Sequence, residues 1–589
     1  MGIVDDLKII KKGFKFKWFY ERADSTDIGN IEDYPLIPPK IIELLIKRGV
    51  KSNKDIEVFL ESPLSSFLNP FELKDTDKAV RKLYSSLLKD EKICVYGDYD
   101  VDGITATAVL YLFLKEIGAN VIYYIPDNVS EGYSLNKKAI KNLSDNNVKL
   151  LITVDCGINS ISEVIMANSI GVDVIITDHH EPRDELPVHA AAIINPYRSD
   201  CTYPFKGLSG VGVVYKLMMA IKFYLEKKDY FLKKGNNPNM FKYLDLVTLG
   251  TIADVSPLIS ENRVIVKHGL NIIGGHQTRV GIEELKKITG LTNKKIGVNH
   301  IGFILNPRIN AVARFGKSLK GVKLLTTNDV VEAVRLSEEL NAENKIRQDL
   351  EKKILKETIE QIEEQDLPKK NKAFVLYSKY WHPSIMGIIA SRIVDQYYRP
   401  AIIISFDGKI GKGSARSQPT FNLYKGIKSL SKLLTEYGGH RNAVGLRILY
   451  ENIHLFQHEF NRLVEKELDV DDLCPEIIID AVVDSNDINK DLVNWIKQLE
   501  PFGTCNSEPN FLMENVKILS APTFGGKNKN ILKCFVKKDS RVFELIGYKM
   551  NEYKFYLEEG KLYDVVFTPE KNLWSDDIYL KVKDFRKAD

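Results

Sequence analysis

Cysteine is scarce in this 589-residue chain. The six residues Cys94, Cys156, Cys201, Cys474, Cys505 and Cys534 are scattered, with no Cys-x-x-Cys pair among them. That pattern excludes a disulfide scaffold and a cysteine-rich zinc site, and points to free thiols in a reducing compartment, so a cytoplasmic location is expected. Long hydrophobic runs are missing too. Gly103 to Leu114, among the most apolar stretches, covers twelve residues, well short of the roughly 18 that a membrane helix needs. The start, with Asp5 and Asp6, has no basic segment leading into an apolar run, so no secretory signal is expected. Asp6 also stands where N-myristoylation of Gly2 would want Ser or Thr. A large charge excess is lacking as well. Lys and Arg number 83 against 79 Asp and Glu, a net +4, which excludes a histone-like polycation but says nothing about local basic grooves. What is present is ordinary: 44% hydrophobic and 28% charged residues mark a soluble globular protein. At about 150 residues per domain the length implies roughly three to five domains.

The pattern of apolar residues divides the chain. The first 85 residues mix short helices and breakers such as Pro35, Pro38, Pro39 and Pro63, and are expected to form an N-terminal lead-in. Residues 86–325 open with apolar strands at Ile93–Tyr96, Val121–Ile125, Leu150–Val154, Val174–Thr177 and Ala192–Ile194. Helical segments separate the first four, as a doubly wound parallel sheet requires. Residues 326–366 hold a long polar helix, from roughly Asp329 to Glu364, that reads as a solvent-bridging connector. Residues 367–474 begin a second α/β lobe at Phe374–Tyr377 and Ala401–Ser405, with glycine-rich segments at Gly411–Ser414 and Tyr437–His440 expected as turns. Residues 475–589 alternate as strands do, at Ile477–Val483, Ile531–Val536, Val542–Tyr548 and Ile578–Val582, and predict a small β-barrel. The fold class expected is therefore α/β, with two lobes joined by a long helix and followed by a barrel.

Chemistry concentrates at the ends of three strands in the first lobe. Ile93–Tyr96 runs into Gly97-Asp98-Tyr99-Asp100-Val101-Asp102-Gly103, Leu150–Val154 into Asp155-Cys156-Gly157, and Val174–Thr177 into Asp178-His179-His180. In an open parallel sheet ligands bind beyond the carboxyl ends of the strands. An acid at a strand end often does no more than cap the following helix, but capping has no use for imidazole. Several carboxylates delivered to one edge repel each other unless cations join them, and mixed carboxylate and imidazole donors suit Mn²⁺ better than Mg²⁺. One more acid, Asp254, ends the apolar run Leu246–Ala253.

These four segments, in this order, resemble the phosphoesterase motifs of the DHH superfamily, and most closely its RecJ branch of single-stranded-DNA-specific exonucleases. Further segments match that branch: Asn306-Pro307-Arg308-Ile309-Asn310-Ala311, Trp381-His382-Pro383, Gly413-Ser414-Ala415-Arg416-Ser417 and Gly438-Gly439-His440. Near the end, Asn572-Leu573-Trp574 and Lys581-Val582-Lys583-Asp584 are similar to the last strands of its oligonucleotide-binding barrel. The resemblance covers nearly all of the chain from about residue 60, and implies that the two lobes are a DHH and a DHHA1 domain and that the barrel is OB-like.

It also implies two divalent cations bridged by Asp155, with Asp98 and Asp100 on one and Asp102, His179 and Asp254 on the other. A pair of ions roughly 3.5–4 Å apart would generate hydroxide and neutralise both attacking and leaving oxygens. His180 would donate to a phosphate oxygen, and Asp178 would orient an imidazole. Asp155, His179 and His180 are thus the expected catalytic set. In the second lobe Ser414, Arg416, Gly439 and His440 would grip the substrate across a cleft, and Arg308 and Arg314 would clamp phosphates. In the barrel Lys527, Lys529, Lys533, Lys537, Lys538 and Arg541 lie among Phe524, Phe535 and Phe543, the mixture expected of a single-strand groove. Some positions depart from the branch: Ala313 and Ala415 stand where it has Gly, Ser384 and Val444 replace small residues, and Asn128 stands where an Arg for the terminal phosphate is expected.

The function implied is a two-metal exonuclease, using Mn²⁺ or Mg²⁺, that degrades single-stranded DNA from 5′ to 3′ into 5′-mononucleotides during repair and recombination. A helicase and a single-strand-binding protein are the expected partners, no membrane is involved, and a monomer is expected. Two alternatives belong to the same superfamily. An oligoribonucleotide or cyclic-dinucleotide phosphodiesterase would not need the closing barrel, and a non-catalytic replication or repair scaffold would not need the acids and His179.

Overall fold

The computed structural model describes residues 8–21, 37–127, 131–132, 134–314, 316–526, 530–572 and 576–588. The chain divides into two compact units. One comprises Glu57–Ile346 with Glu500–Ser507, the other Met1–Ile56, Arg347–Leu499 and Glu508–Asp589.

The first strands in chain order, β1 (Lys8–Lys12) and β2 (Lys17–Glu21), form an antiparallel hairpin. In the Glu57–Ile346 unit the apolar runs become β3 (Lys92–Gly97), β4 (Val121–Tyr124), β5 (Val148–Val154), β6 (Asp173–Thr177) and β7 (Ala192–Ile194). All pairings are parallel and the order is β4-β3-β5-β6-β7. Sheets of this kind need helices on both faces, which is why β5 is buried at six of its seven positions. Helix Val101–Glu116 carries no polar stripe: its buried residues run from Val101 to Leu110 without a break. It is sandwiched by the Gly210–Lys227 and Leu244–Ala253 helices, themselves apolar on nearly all sides. The chain leaves β3 for β4 on one side and returns to β5 on the other, so the loops after β3 and β5 diverge and open a crevice between them.

The second unit carries β8 (Phe374–Ser378), β9 (Ala401–Asp407), β10 (Ile410–Arg416), β11 (Leu434–His440) and β12 (Ala443–Leu449), ordered β11-β12-β10-β9-β8. Here the structure corrects two expected turns: Gly411–Ser414 lies within β10 and Tyr437–His440 within β11. The glycines of β10 serve packing. A Cβ on Gly411 would stand 2.7 Å from the Phe406 ring, and one on Gly413 2.8 Å from Leu446. The long helix runs from Val330 to Glu364, as its polarity and lack of breakers predict. It is not solvated all round, since Leu336, Leu340, Ile354 and Ile362 are buried.

Further on come β13 (Glu476–Ile479), β14 (Ala481–Val482), β15 (Phe511–Ile518), β16 (Thr523–Gly525), β17 (Ile531–Lys538), β18 (Arg541–Tyr548), β19 (Leu562–Lys571) and β20 (Ile578–Lys587). The order β15-β19-β20-β18-β17 is closed by a β15–β17 pairing, which makes the predicted barrel. No helix among the described residues is long and apolar enough to cross a membrane.

Two boundaries differ from the sequence expectation. The described residues 8–21 and 37–56 of the expected lead-in belong to the unit that contains the barrel, where β2 pairs in parallel with β13. Trp18, 1% exposed, packs on Ile479, Leu512 and Val566. Residues Glu500–Ser507, expected within the barrel segment, pack with the Glu57–Ile346 unit instead. The hairpin is tied down by one buried carboxylate. Asp584 accepts from the backbone N–H groups of Lys15 and Phe16, from the Trp18 indole at 2.9 Å and from the Tyr553 hydroxyl at 2.9 Å. Gly13 is required beside it, because a Cβ there would meet Asp584 Oδ2 at 2.0 Å. No apolar pattern reports such a contact, which spans 566 positions.

Asp584→Ala leaves these donors buried without an acceptor and is expected to cost about 3 kcal/mol or more of stability. Thermal or urea unfolding of the full chain checks this, and Gly13→Ala is expected to shift it in the same direction.

Candidate metal centre

The loops beyond β3, β5 and β6 carry the acids and histidines that the sequence pattern singles out. After Gly97 the chain folds back so tightly that a Cβ on Gly103 would lie 2.4 Å from the Asp98 carbonyl oxygen. This turn delivers three acids. Asp98 is 4% exposed; Asp100 N-caps helix Val101–Glu116, its Oδ1 accepting from the Gly103 N–H at 3.0 Å; Asp102, 2% exposed, sits in the helix's first turn. Asp155 follows β5 with φ +63°, a left-handed conformation that costs on the order of 1 kcal/mol. Its N–H is nonetheless fixed to the Thr177 carbonyl at 3.0 Å. Asp254 reaches the group from a different kind of element. It caps the C-terminus of helix Leu244–Ala253 rather than ending a strand.

Three overlapping clusters result. Asp98, Asp100 and Asp155 bring one carboxylate oxygen each within 4.8 Å of one another, and the ligand atoms of Asp102, His179 and Asp254, and of Asp155, His179 and His180, lie equally close. His179 Nε2 lies 3.1 Å from Asp155 Oδ1 and 3.8 Å from both Asp102 Oδ2 and Asp254 Oδ1. Asp155 thus belongs to the group with Asp98 and Asp100 and, through its contact with His179, adjoins the group of Asp102, His179 and Asp254. Asp178 is turned away from them. Its Oδ1 accepts from the N–H groups of His179 (2.7 Å) and His180 (3.1 Å) and lies 2.8 Å from His180 Nδ1, while Oδ2 accepts from the Ile158 N–H at 2.9 Å. That contact makes Nδ1 the donor and leaves Nε2 as the other donor position of His180.

The electrostatics separate acids that face one another from the acid that faces a cation. Burial, and then mutual repulsion among Asp98, Asp100, Asp102, Asp155 and Asp254, pushes the carboxyls of Asp98, Asp102 and Asp155 well above their usual range. Burial also raises Asp254, although His179 and the Ser256 hydroxyl oppose it. Burial acts on Asp178 in the same sense, but its hydrogen bond and charge contact with His180 hold it below the ordinary value. Conversely, burial would lower His180, and Asp178, with Asp98 and Asp100 behind it, raises it to about 9. The donors present fit divalent cations. Asp98 Oδ1 and Asp155 Oδ1 are buried and make no hydrogen bond among the described residues, the latter despite its approach to His179. Buried carboxylate oxygens without partners are costly unless a cation takes that place.

Several residues that shape this centre escape the motif reading. Both oxygens of Asp102 accept from the start of helix Gly210–Lys227: Oδ2 from the Gly210 N–H at 2.7 Å and Oδ1 from Val211 at 2.9 Å. The positive end of that helix therefore faces the acids. Ser209 caps it, accepting from Gly212. A Cβ on Gly210 would lie 2.4 Å from Asp155 Oδ1, and one on Gly250 2.7 Å from Asp102 Oδ1. The signal was present as Ser209-Gly210-Val211-Gly212 ahead of an apolar helix, a capping pattern.

The other expected site residues lie on helix Asn306–Arg314, in the β10–β12 region and in the barrel. Arg308 donates to Asn341 Oδ1 at 3.0 Å and to the Ile304 carbonyl at 2.6 Å, and Arg314 ends its helix. Ser414 and Arg416 lie on β10, and Arg416 donates to Ser414 Oγ at 3.0 Å. Burial lowers the Arg416 guanidinium from its ordinary value, with no acid among the described residues to oppose this. The backbone of this segment is paired on both sides, with β9 and with β12, so only its side chains are left for a ligand. Gly439 and His440 end β11, where φ +147° at Gly439 excludes a side chain that would meet the Ala443 carbonyl at 2.2 Å.

In the barrel Lys533, Phe535 and Lys537 share the exposed face of β17, and Lys538 ends the strand. Phe543 is buried. Arg541 departs from expectation: it donates to the carbonyls of Ser485 (2.5 Å) and Ile488 (2.7 Å) and lies over the Phe543 ring, bracing the barrel. Asn128, Lys527, Lys529, Leu573 and Trp574 lie outside the described residues.

Comparison with known proteins matches three family models: the N-terminal domain of the DHH family at residues 92–251, the DHHA1 domain at 370–466 and the RecJ OB domain at 479–584. The chain is 35% identical over 564 residues to the single-stranded-DNA-specific exonuclease RecJ of Bacillus subtilis, covering 95% of this chain and 69% of that protein. It is 34% identical over 496 residues to the Escherichia coli protein of the same name, covering 82% and 85%. Among solved structures, RecJ of Thermus thermophilus in complex with Mn²⁺ superposes with a TM-score of 0.80 at 27% identity, over 96% of this chain and 79% of that one. Its Mg²⁺ complex gives 0.74 at 26% identity, over 96% and 78%. With three matching domains in order and two relatives above 30% identity over most of their length, this chain belongs to the RecJ family of single-stranded-DNA-specific exonucleases.

Proposed function

We propose that this chain hydrolyses single-stranded DNA from the 5′ end and releases 5′-mononucleotides. The observation that carries the reading is a pair of carboxylate-rich clusters joined by the 3.1 Å approach of Asp155 Oδ1 in one to His179 Nε2 in the other. Asp98, Asp100 and Asp155 would hold one divalent cation, and Asp102, His179 and Asp254, with Asp155 beside them, would hold a second; the imidazole among the donors would favour Mn²⁺ over Mg²⁺. Bound there, such cations supply Lewis acidity and a water of lowered pKa.

The chain's own residues do the rest. Asp178 orients the His180 imidazole through Nδ1 and favours its protonated form, which suits a contact with a phosphate oxygen. Gly210 and Val211 fix the Asp102 carboxylate through their N–H groups, so that it need not reorganise. Ser414 and Arg416 offer a hydroxyl and a guanidinium with no acid partner among the described residues, which suits a phosphate diester. Gly439 and His440, on β11 of the same sheet, extend that surface, and Arg308 and Arg314 of the Glu57–Ile346 unit are further candidate phosphate contacts. Lys533, Lys537 and Lys538, flanking the half-exposed Phe535, track the strand's phosphates while the ring stacks on a base. A duplex must be opened before such residues can reach one strand, so a helicase and a single-strand-binding protein are the partners this role needs, in cytoplasmic repair and recombination.

End-labelled single-stranded DNA, short RNA and a cyclic dinucleotide, each with Mn²⁺ and with EDTA, test the reading. Metal-dependent mononucleotide release from the 5′ end of the DNA is expected. Cleavage of the dinucleotide alone would overturn it, and absence of any metal-dependent cleavage would favour a scaffold. Asp155→Asn is expected to reduce turnover at least about a thousandfold and to raise the melting temperature of the metal-free chain, since one of several repelling buried acids is gone. Wild-type protein should gain about 2.7 kcal/mol from Mn²⁺ at a hundred times its Kd, and the variant should gain much less. Arg416→Lys keeps a charge but loses the planar fork, and is expected to raise KM for DNA about tenfold with little change in kcat.

A further inference from the structure

The segment Glu500–Ser507 is short, far in sequence from the acids, and unused by the chemistry above. Its neighbours on either side, Arg347–Leu499 and Glu508–Asp589, belong to the other unit, yet these eight residues pack with Glu57–Ile346. The place where they dock is the loop that carries Asp254. The Leu258 N–H donates to the Thr504 carbonyl at 2.8 Å. Gly503 lies so close that a Cβ there would meet Leu258 Cδ1 at 2.6 Å and Cγ at 3.0 Å, and Leu258 is itself 2% exposed and cannot swing away. Arg263, fully buried, grips the segment's start. Its guanidinium donates to the carbonyls of Glu500 (3.0 Å) and Pro501 (3.5 Å) and stacks over the Phe59 ring at 4.0 Å. Within the segment, Asn506 is wholly buried and donates from Nδ2 to the Pro501 carbonyl at 2.8 Å, and Gly503 and Asn506 exchange backbone hydrogen bonds.

The loop on which it docks needs outside support. Asp254 leads into Val255, a β-branched residue at φ +61° whose side chain is 67% exposed. Left-handed geometry at such a residue is strongly disfavoured, and it persists only where the surroundings over-determine it. Ser256 donates to Asp254 Oδ2, and Asn262 donates to the carbonyls of Pro257 (3.0 Å) and Gly207 (2.6 Å). Asn262 thereby joins this loop to the stretch of chain that leads, through Ser209, into the Gly210 and Val211 N–H groups on Asp102. The loop is thus held from within by Asn262 and from outside by Thr504.

We infer that Glu500–Ser507 is a positioning element for the metal centre: by holding Leu258 and Arg263 it fixes the strained Asp254–Leu258 loop and so sets where the Asp254 carboxylate stands. This rests on Asp254 being a metal ligand, as proposed above. None of the eight residues touches the reacting atoms; the segment acts through Asp254.

The test uses the full chain. In one variant residues 501–507 are replaced by a Gly/Ser segment of equal length. In a second, Gly503→Ala is made alone and then together with Leu258→Ala, which empties the space the new methyl needs. Mn²⁺ affinity is read by electron paramagnetic resonance titration without DNA, and kcat and KM are measured separately. The Gly/Ser chain and Gly503→Ala are expected to bind Mn²⁺ about 10- to 100-fold more weakly, with lower kcat and unchanged KM for DNA. The Gly503→Ala, Leu258→Ala chain is expected to regain most of that affinity, which a general loss of stability would not allow. Asp254→Ala serves as the control. If it binds Mn²⁺ weakly while the Gly/Ser and Gly503→Ala chains bind like wild type, the positioning role is wrong and the ligand reading stands. If Asp254→Ala itself binds like wild type, the ligand reading falls first.

Discussion

Mutual repulsion among buried carboxylates is the constraint around which the Glu57–Ile346 unit is built. Asp98, Asp102 and Asp155 are each under 5% exposed, and two of their oxygens make no hydrogen bond among the described residues. An arrangement of this kind is held by the rest of the fold rather than by itself. The parallel sheet delivers two of the acids at the crevice where its connections diverge. The apolar Val101–Glu116 helix, packed on all sides, anchors the turn that carries three. The N-terminus of helix Gly210–Lys227 lays its N–H groups on Asp102. Close-packed glycines at 103, 210 and 250 keep side chains out of the space that the acids share.

The two histidines illustrate how neighbouring identical residues acquire different roles. His179 presents Nε2 to three carboxylates and suits a cation's ligand shell. His180 is tied through Nδ1 to Asp178, whose carboxylate is paired with that imidazole and so keeps its charge. One Asp in the motif thus acts on an imidazole while the others face one another. The division follows from where each carboxylate points, not from its residue type.

Much of this was legible in the sequence because period and punctuation carry it. The β3 to β7 strands read as apolar runs, three of them ended by acids, the long helix as an uninterrupted polar stretch, and the barrel as alternation. The acids and histidines named in advance do converge. What could not be read depends on packing over long separations. Gly411 and Gly413 looked like turn glycines, whereas they are small because Phe406 and Leu446 occupy the space above them. Arg541 looked like a phosphate contact in a run of bases, whereas two backbone carbonyls claim it. The N–H groups on Asp102 belong to residues with no polar side chain, so only the capping pattern at Ser209 hinted at them.

The hairpin near the start of the chain has a consequence for the order in which the protein assembles. Lys15, Phe16 and Trp18 have their donors satisfied by Asp584, which lies on the last strand. On a ribosome adding about 5–20 residues per second, that partner emerges on the order of a minute after the hairpin does. Until then Trp18 and the edge of β2 are without the carboxylate that fixes them, while Glu57–Ile346 already has nearly all of its own strands and helices. The unit that bears the acids can therefore form while the chain is still being made. The barrel unit, which joins β2 to β13 and Trp18 to Asp584, is completed only after β20 has emerged.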